Sequence, residues 1–108
     1  MKEYKQFYID GAWVDPVEPR TMEIENPATE ESFAVISIGS KADVDKAVAA
    51  AKAAFPSFSQ TSVEYRAELL EKIAAGIKAR MPEMAEAISN EMGAPMWLAN
   101  AAQVPAGM

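Results

Sequence analysis

The residues able to do chemistry in this chain are carboxylates and little else. Sixteen Asp and Glu stand against ten Lys and Arg, and there is no Cys and no His. The chain therefore has no thiolate nucleophile, no Ser-His pair, no imidazole base, and no thiolate or imidazole ligand for zinc. Carboxylates can act as an acid and base pair only where their surroundings push the two pKa values apart. Glu30-Glu31 and Asp43 with Asp45 lie in polar sequence and read as solvated charges. Gly11, Gly39, Gly76, Gly93 and Gly107 are isolated, so no glycine-rich phosphate loop is present. Glu91 falls in the last turn of an expected helix, against the dipole, where a solvated side chain is the simplest reading. Met81, Met84, Met92 and Met96 read as core filler, and Phe7, Tyr8 and Trp13 as a hairpin surface that covers a helix.

The elements that would hold these groups change period near residue 40. Phe7-Tyr8-Ile9, Asp10-Gly11 and Ala12-Trp13-Val14 spell a hairpin, because Gly and Asp tolerate the positive φ of a two-residue type I′ turn. Thr21 to Glu25 alternates polar and apolar, Asn26-Pro27-Ala28-Thr29 turns the chain, and Ser32 to Ile38 is extended again, giving a second hairpin. From Ser40, an N-cap with Asp43 at the third position, Val44, Ala47, Val48, Ala51 and Phe55 form one helical stripe expected to bury while Lys46 and Lys52 stay wet. Pro56 is expected to end that helix. Thr61-Ser62-Val63-Glu64 reads as a capping box opening a second helix with Leu70, Ile73, Ala74 and Ile77 on one face and a Glu68–Lys72 pair. Met81-Pro82 starts a third, expected to turn Ala85, Ile88 and Met92 inward and to stop at Gly93. Pro95 opens a fourth segment, Met96 to Gln103.

Length and composition bound the rest. At 108 residues the chain is one domain or part of one, and its 50% apolar content is mostly small Ala, with 8% aromatic residues, so the core is lean. The net charge of -6, with no basic stripe, argues against nucleic acid as a partner. The residues before Phe7 have no apolar stretch of export-signal length. The longest Ala-rich stretch, Ala47 to Phe55, is interrupted by Lys52 and falls far short of the roughly 20 apolar residues of a membrane span. The absence of Cys fits a reducing compartment, and a cytoplasmic location is expected. The run Val104-Pro105-Ala106-Gly107-Met108, without a cap or charged tail, reads as a cut.

Five pieces follow one another along the chain: residues 7–14, Ile24-Glu25-Asn26-Pro27-Ala28-Thr29, Ala42-Asp43-Val44-Asp45-Lys46-Ala47-Val48-Ala49-Ala50-Ala51, Arg66-Ala67-Glu68-Leu69-Leu70 and Asn90-Glu91-Met92-Gly93-Ala94-Pro95. In their order and spacing the chain resembles the N-terminal segment of the NAD(P)-dependent aldehyde dehydrogenase superfamily. The resemblance implies an α/β fold, the N-terminal part of the aldehyde dehydrogenase architecture: β-hairpins over residues 1–39, then a helical segment over 40–108. The whole would form the outer, incomplete part of a Rossmann-like cofactor-binding domain. It implies a parent enzyme that oxidises an aldehyde to a carboxylic acid with NAD or NADP. A Cys nucleophile and a water-activating Glu would lie beyond Met108, so no catalytic or cofactor-binding residue falls in this segment and none of the cofactor is bound by it alone. The implied partners are the remainder of the same polypeptide and further subunits of a homodimer or homotetramer. The resemblance also implies a structural sodium or potassium ion held by the carbonyls of Ile24 and Glu25 and the carboxylate of Glu91, which stands where other members often have Asp. Hard oxygen donors of this kind suit a monovalent cation. A different reading of the same sequence is a free-standing acidic helical module that docks a partner through Leu70, Ile73 and Ile77.

Overall fold

The computed structural model describes residues 1–108, mixed in helix and strand. The strands are β1 (Lys2–Tyr4), β2 (Phe7–Ile9), β3 (Ala12–Val14), β4 (Thr21–Asn26) and β5 (Glu31–Ser37). The helices are α1 (Lys41–Phe58), α2 (Val63–Ala79), α3 (Met81–Met92) and the short α4 (Met96–Leu98), which widens into a π-type turn over Ala99–Gln103 and closes in a 3-10 turn over Pro105–Gly107. The chain divides into two compact units, Met1–Glu25 with Ser32–Gln60, and Asn26–Glu31 with Thr61–Met108.

In the first unit β2 and β3 form the expected hairpin, with Tyr8 opposite Trp13, and Asp10 and Gly11 take φ of 54° and 77° as a type I′ turn requires. The other three strands form one sheet in the order β1-β5-β4. β1 lies parallel to β5, Lys2 opposite Ala34 and Tyr4 opposite Ile36. This long-range parallel pair has no local turn signature, so sequence pattern did not disclose it. Ser37 Oγ donates to the carbonyl of Lys5 at 2.7 Å, holding β5 to the residue that follows β1.

α1 starts at a complete capping box: Ser40 Oγ accepts from the Asp43 N–H, and the Asp43 carboxylate accepts from the Ser40 N–H. Pro56 does not end α1, contrary to expectation. It sits in the last turn, where the missing N–H removes a single hydrogen bond, and the Ser59 N–H still reaches the carbonyl of Phe55 at 2.8 Å. The stripe expected to bury also differs, since Val44, Ala47, Val48, Ala51 and Phe55 are all exposed, Phe55 by 68%. The hairpin does lie beside α1, with Ile9, Asp10 and Gly11 facing Ala47, Ala50, Ala51 and Ala54 across a shallow cleft. Tyr8 and Trp13 nevertheless stay exposed and pack on each other edge to face, ring centroids 5.3 Å apart.

In the second unit the cap of α2 is one residue later than the sequence suggested. Ser62 Oγ accepts from the Tyr65 N–H at 3.1 Å, while the Thr61 hydroxyl and carbonyl accept from the Arg66 guanidinium instead. Glu64 therefore lies short of the position from which a box could close. Lys72 and Glu68 pair at 2.9 Å as expected. The core is small: Ala85 of α3, Ala99 and Val104, with Ile77, Met81 and Ile88 packed around them. Ala85 and Ile88 face it, but Met92 is exposed, and so are Met84 and Met96; of the four methionines only Met81 fills the core. Leu70 and Ile73 of α2 are exposed as well.

Candidate functional site

The sequence points to the Asn-Pro turn and to the end of α3. α3 stops at Gly93 with φ of 72°, the left-handed cap that Gly adopts without a Cβ penalty, and its N–H returns to the carbonyl of Ser89 at 2.9 Å. The turn between β4 and β5 is built by Asn26, whose Oδ1 accepts from the Ala28 N–H at 2.8 Å while its carbonyl accepts from the Glu30 N–H at 2.8 Å. Glu30 takes φ of 57° to close it.

These two motifs meet. The Asn26 side-chain amide donates to Asn90 Oδ1 across 3.4 Å. A Cβ on Gly93 would stand 3.1 Å from Cγ of Pro27, so Gly93 serves both as the helix cap and as the residue that lets the proline ring approach. The sequence reading gave Gly93 the cap alone and missed the Asn26–Asn90 contact. The spacing carries no signal for a contact between residues 64 apart; the common presence of a turn Asn and a helix-end Asn is the only trace.

The expected ligand residues flank this junction in sequence. Ile24 is half-buried in β4 and Glu25 beside it is exposed. Glu91 is exposed in the last turn of α3, with no Lys or Arg paired to it. No three acidic side chains gather as a metal cluster. Charge elsewhere is spent on surface pairs. Arg80 donates to Glu83 at 2.8 Å, and that carboxylate, by hydrogen bond and charge, raises the guanidinium pKa further. No helix is long and apolar enough to cross a membrane.

Comparison with known proteins agrees with the motif order. Residues 13–108 match the aldehyde dehydrogenase family, and the chain belongs to that family. It is 47% identical over its whole length to a 3-succinoylsemialdehyde-pyridine dehydrogenase of a Pseudomonas species, of which it covers 23%. It superposes on an aldehyde dehydrogenase from Bartonella henselae with a TM-score of 0.96 and 45% identity, covering 99% of this chain and 22% of that one. A Pseudomonas syringae aldehyde dehydrogenase solved with NAD+ and octanal gives a TM-score of 0.91 at 51% identity, over 94% of this chain and 21% of that one. The chain thus spans less than a quarter of the length of these relatives and corresponds to their N-terminal part.

Proposed function

We propose that this chain is the N-terminal scaffold of an aldehyde dehydrogenase whose whole polypeptide oxidises an aldehyde to a carboxylic acid with NAD or NADP. The observation that carries the reading is the match along the entire chain, in sequence and in backbone, to relatives more than four times its length. The exposed apolar residues of α1 and α2 support it, since they have the periodicity of faces made to bury. Residues 1–108 form the outer, incomplete part of a cofactor-binding domain, with strands over 1–39 and helices over 40–108. NAD(P) would supply the hydride acceptor, and relatives solved with NAD support that assignment. The chain has no thiol, so the nucleophile comes from the remaining polypeptide.

Within this reading the partners are that remaining polypeptide and further copies of the subunit, as a homodimer or homotetramer in the cytoplasm. The carbonyls of Ile24 and Glu25 and the carboxylate of Glu91 are ligands for a sodium or potassium ion. Support comes from the oxygen-only donor set and from the exposed, unpaired Glu91. The test is an assay of NADH formation with a reactive aldehyde. The polypeptide carrying this segment at its N-terminus is expected to form NADH steadily and the segment alone to form none. Turnover by the segment alone, or none by the whole polypeptide, would overturn the proposal.

A further inference from the structure

Ser40 and Asp43 are the buried polar residues of the chain, each 5% exposed, so Asp43 is not the solvated charge that its polar sequence suggested. The capping box accounts for half of the Asp43 carboxylate: Oδ2 accepts from the Ser40 N–H and from the Ser40 hydroxyl, both at 2.8 Å. A cap needs nothing more. Oδ1 reaches 26 residues back along the chain and accepts the backbone N–H of Val17 at 2.9 Å. Val17 lies between Pro16 and Pro19, which have no N–H to give. The loop is anchored at its ends, where Gln6 donates to Asp15 at 2.9 Å and the Ile38 N–H reaches the carbonyl of Arg20 at 2.9 Å. Between those anchors the Val17 N–H is the hydrogen bond that fixes it.

We propose that Asp43 is a latch coupling the proline loop to the first turn of α1, one carboxylate oxygen holding each. Because both ends share one side chain, release of either removes the restraint that positions it for the other, and the coupling is reciprocal. The electrostatics agree. The Ser40 N–H first, then the Val17 N–H, hold the carboxyl below its ordinary value against the desolvation of burial, and the Ser40 hydroxyl and Lys46 act in the same direction. Lys46 belongs to α1 itself. The loop contributes only a backbone donor, and Phe7 and Ile9 of β2, which line an apolar groove of about 260 Å³ with Asp43, Val44 and Ala47, carry no charge. The latch thereby also sets one wall of that groove.

Hydrogen exchange at single-residue resolution on the intact protein tests the coupling. Between the two prolines the loop has just two amides, Val17 and Glu18, which serve as each other's control. In the unmodified protein Val17 exchanges slower than Glu18 by about tenfold or more, the scale expected for a charge-assisted hydrogen bond. Asp43→Asn sets an NH2 donor against the donors on one side of the group, and the coupling carries that loss to the other side, so exchange speeds up at both Val17 and Ser40. Ser40→Ala takes the hydroxyl from Oδ2 but leaves the backbone N–H of residue 40 on it, so neither end is released and Val17 exchange stays within about twofold. Equal rates for Val17 and Glu18 in the unmodified protein overturn the proposal without any variant. So does an Asp43→Asn protein in which only one of the two amides speeds up.

Discussion

α1 and α3 are both amphipathic by period, yet they finish in opposite states. On α3 the inward residue is Ala85, fully buried against Ala99 and Val104. On α1 the same spacing places Val44, Val48 and Phe55, and all three are exposed. The difference lies in what each unit can supply. α3 is followed at once by α4 and its π-type turn, whose small Ala99 fits close against Ala85. α1 has the two-stranded hairpin beside it across an open cleft in which Ala47, Ala51 and Ala54 stay exposed, and the bulky stripe has no partner. α2 shows both behaviours within one helix: Ile77 packs into the core while Leu70 and Ile73 do not. Periodicity identifies a face made for burial; the partner that covers it is a separate fact.

Truncating an open residue in two contexts shows whether its face gains a cover. Leu70→Ala in the whole aldehyde dehydrogenase polypeptide is expected to cost about 2–5 kcal/mol, the range for a buried Leu. In the segment alone the same change should stay within about 0.5 kcal/mol. Urea unfolding of both forms measures the gap, and equal effects would mean that α2 gains no cover from the longer chain. On the closed side, Ala85→Leu adds methylenes where there is no space and is expected to destabilise by about 1–3 kcal/mol in either form. A neutral result would show the α3 core to be loose.

Gly93→Ala is expected to cost about 1–2 kcal/mol for the left-handed backbone, with an added penalty if the Pro27 ring cannot move from a Cβ placed 3.1 Å away. Replacing Pro27 by Ala in the same protein should remove only that added part, which separates the two roles of Gly93 by thermal unfolding. The smallest effect belongs to the exposed Glu68–Lys72 pair, where Lys72→Ala should change stability by about 0.2–0.5 kcal/mol and less at high salt.

Local chemistry was legible in the sequence wherever one residue type has one geometric use. Asp10-Gly11 made the hairpin, Ser40 and Asp43 made the cap, Asn26 made the turn, and Gly93 ended α3. What was hidden depends on residues distant in the chain: the parallel pairing of β1 with β5, the Val17 N–H on Asp43, and Asn90 beneath Asn26. The cap of α2 was misplaced by one residue because Thr61 and Ser62 are chemically alike, and the arginine at 66 draws the first of them away. Met84, Met92, Met96 and the α1 stripe have the spacing of buried residues and are exposed in this chain alone, because helical spacing marks a face without supplying its cover, while Met81 does reach the core. For the candidate cation site, the sequence motifs nominated Ile24, Glu25 and Glu91, and the structure adds the Asn26–Asn90 contact next to them in sequence.

If the chain is the scaffold proposed above, the exposed stripes of α1 and α2 are seats for the remaining polypeptide of an aldehyde dehydrogenase. Covalent footprinting with a small carbene reagent tests it most directly, read at Val44, Val48, Phe55, Leu70 and Ile73 in the segment alone and in the whole polypeptide. Strong labelling of these side chains is expected in the segment and protection of most of them in the whole polypeptide, with Ala85 and Ala99 protected in both. Equal labelling of the stripes in the two forms would contradict it.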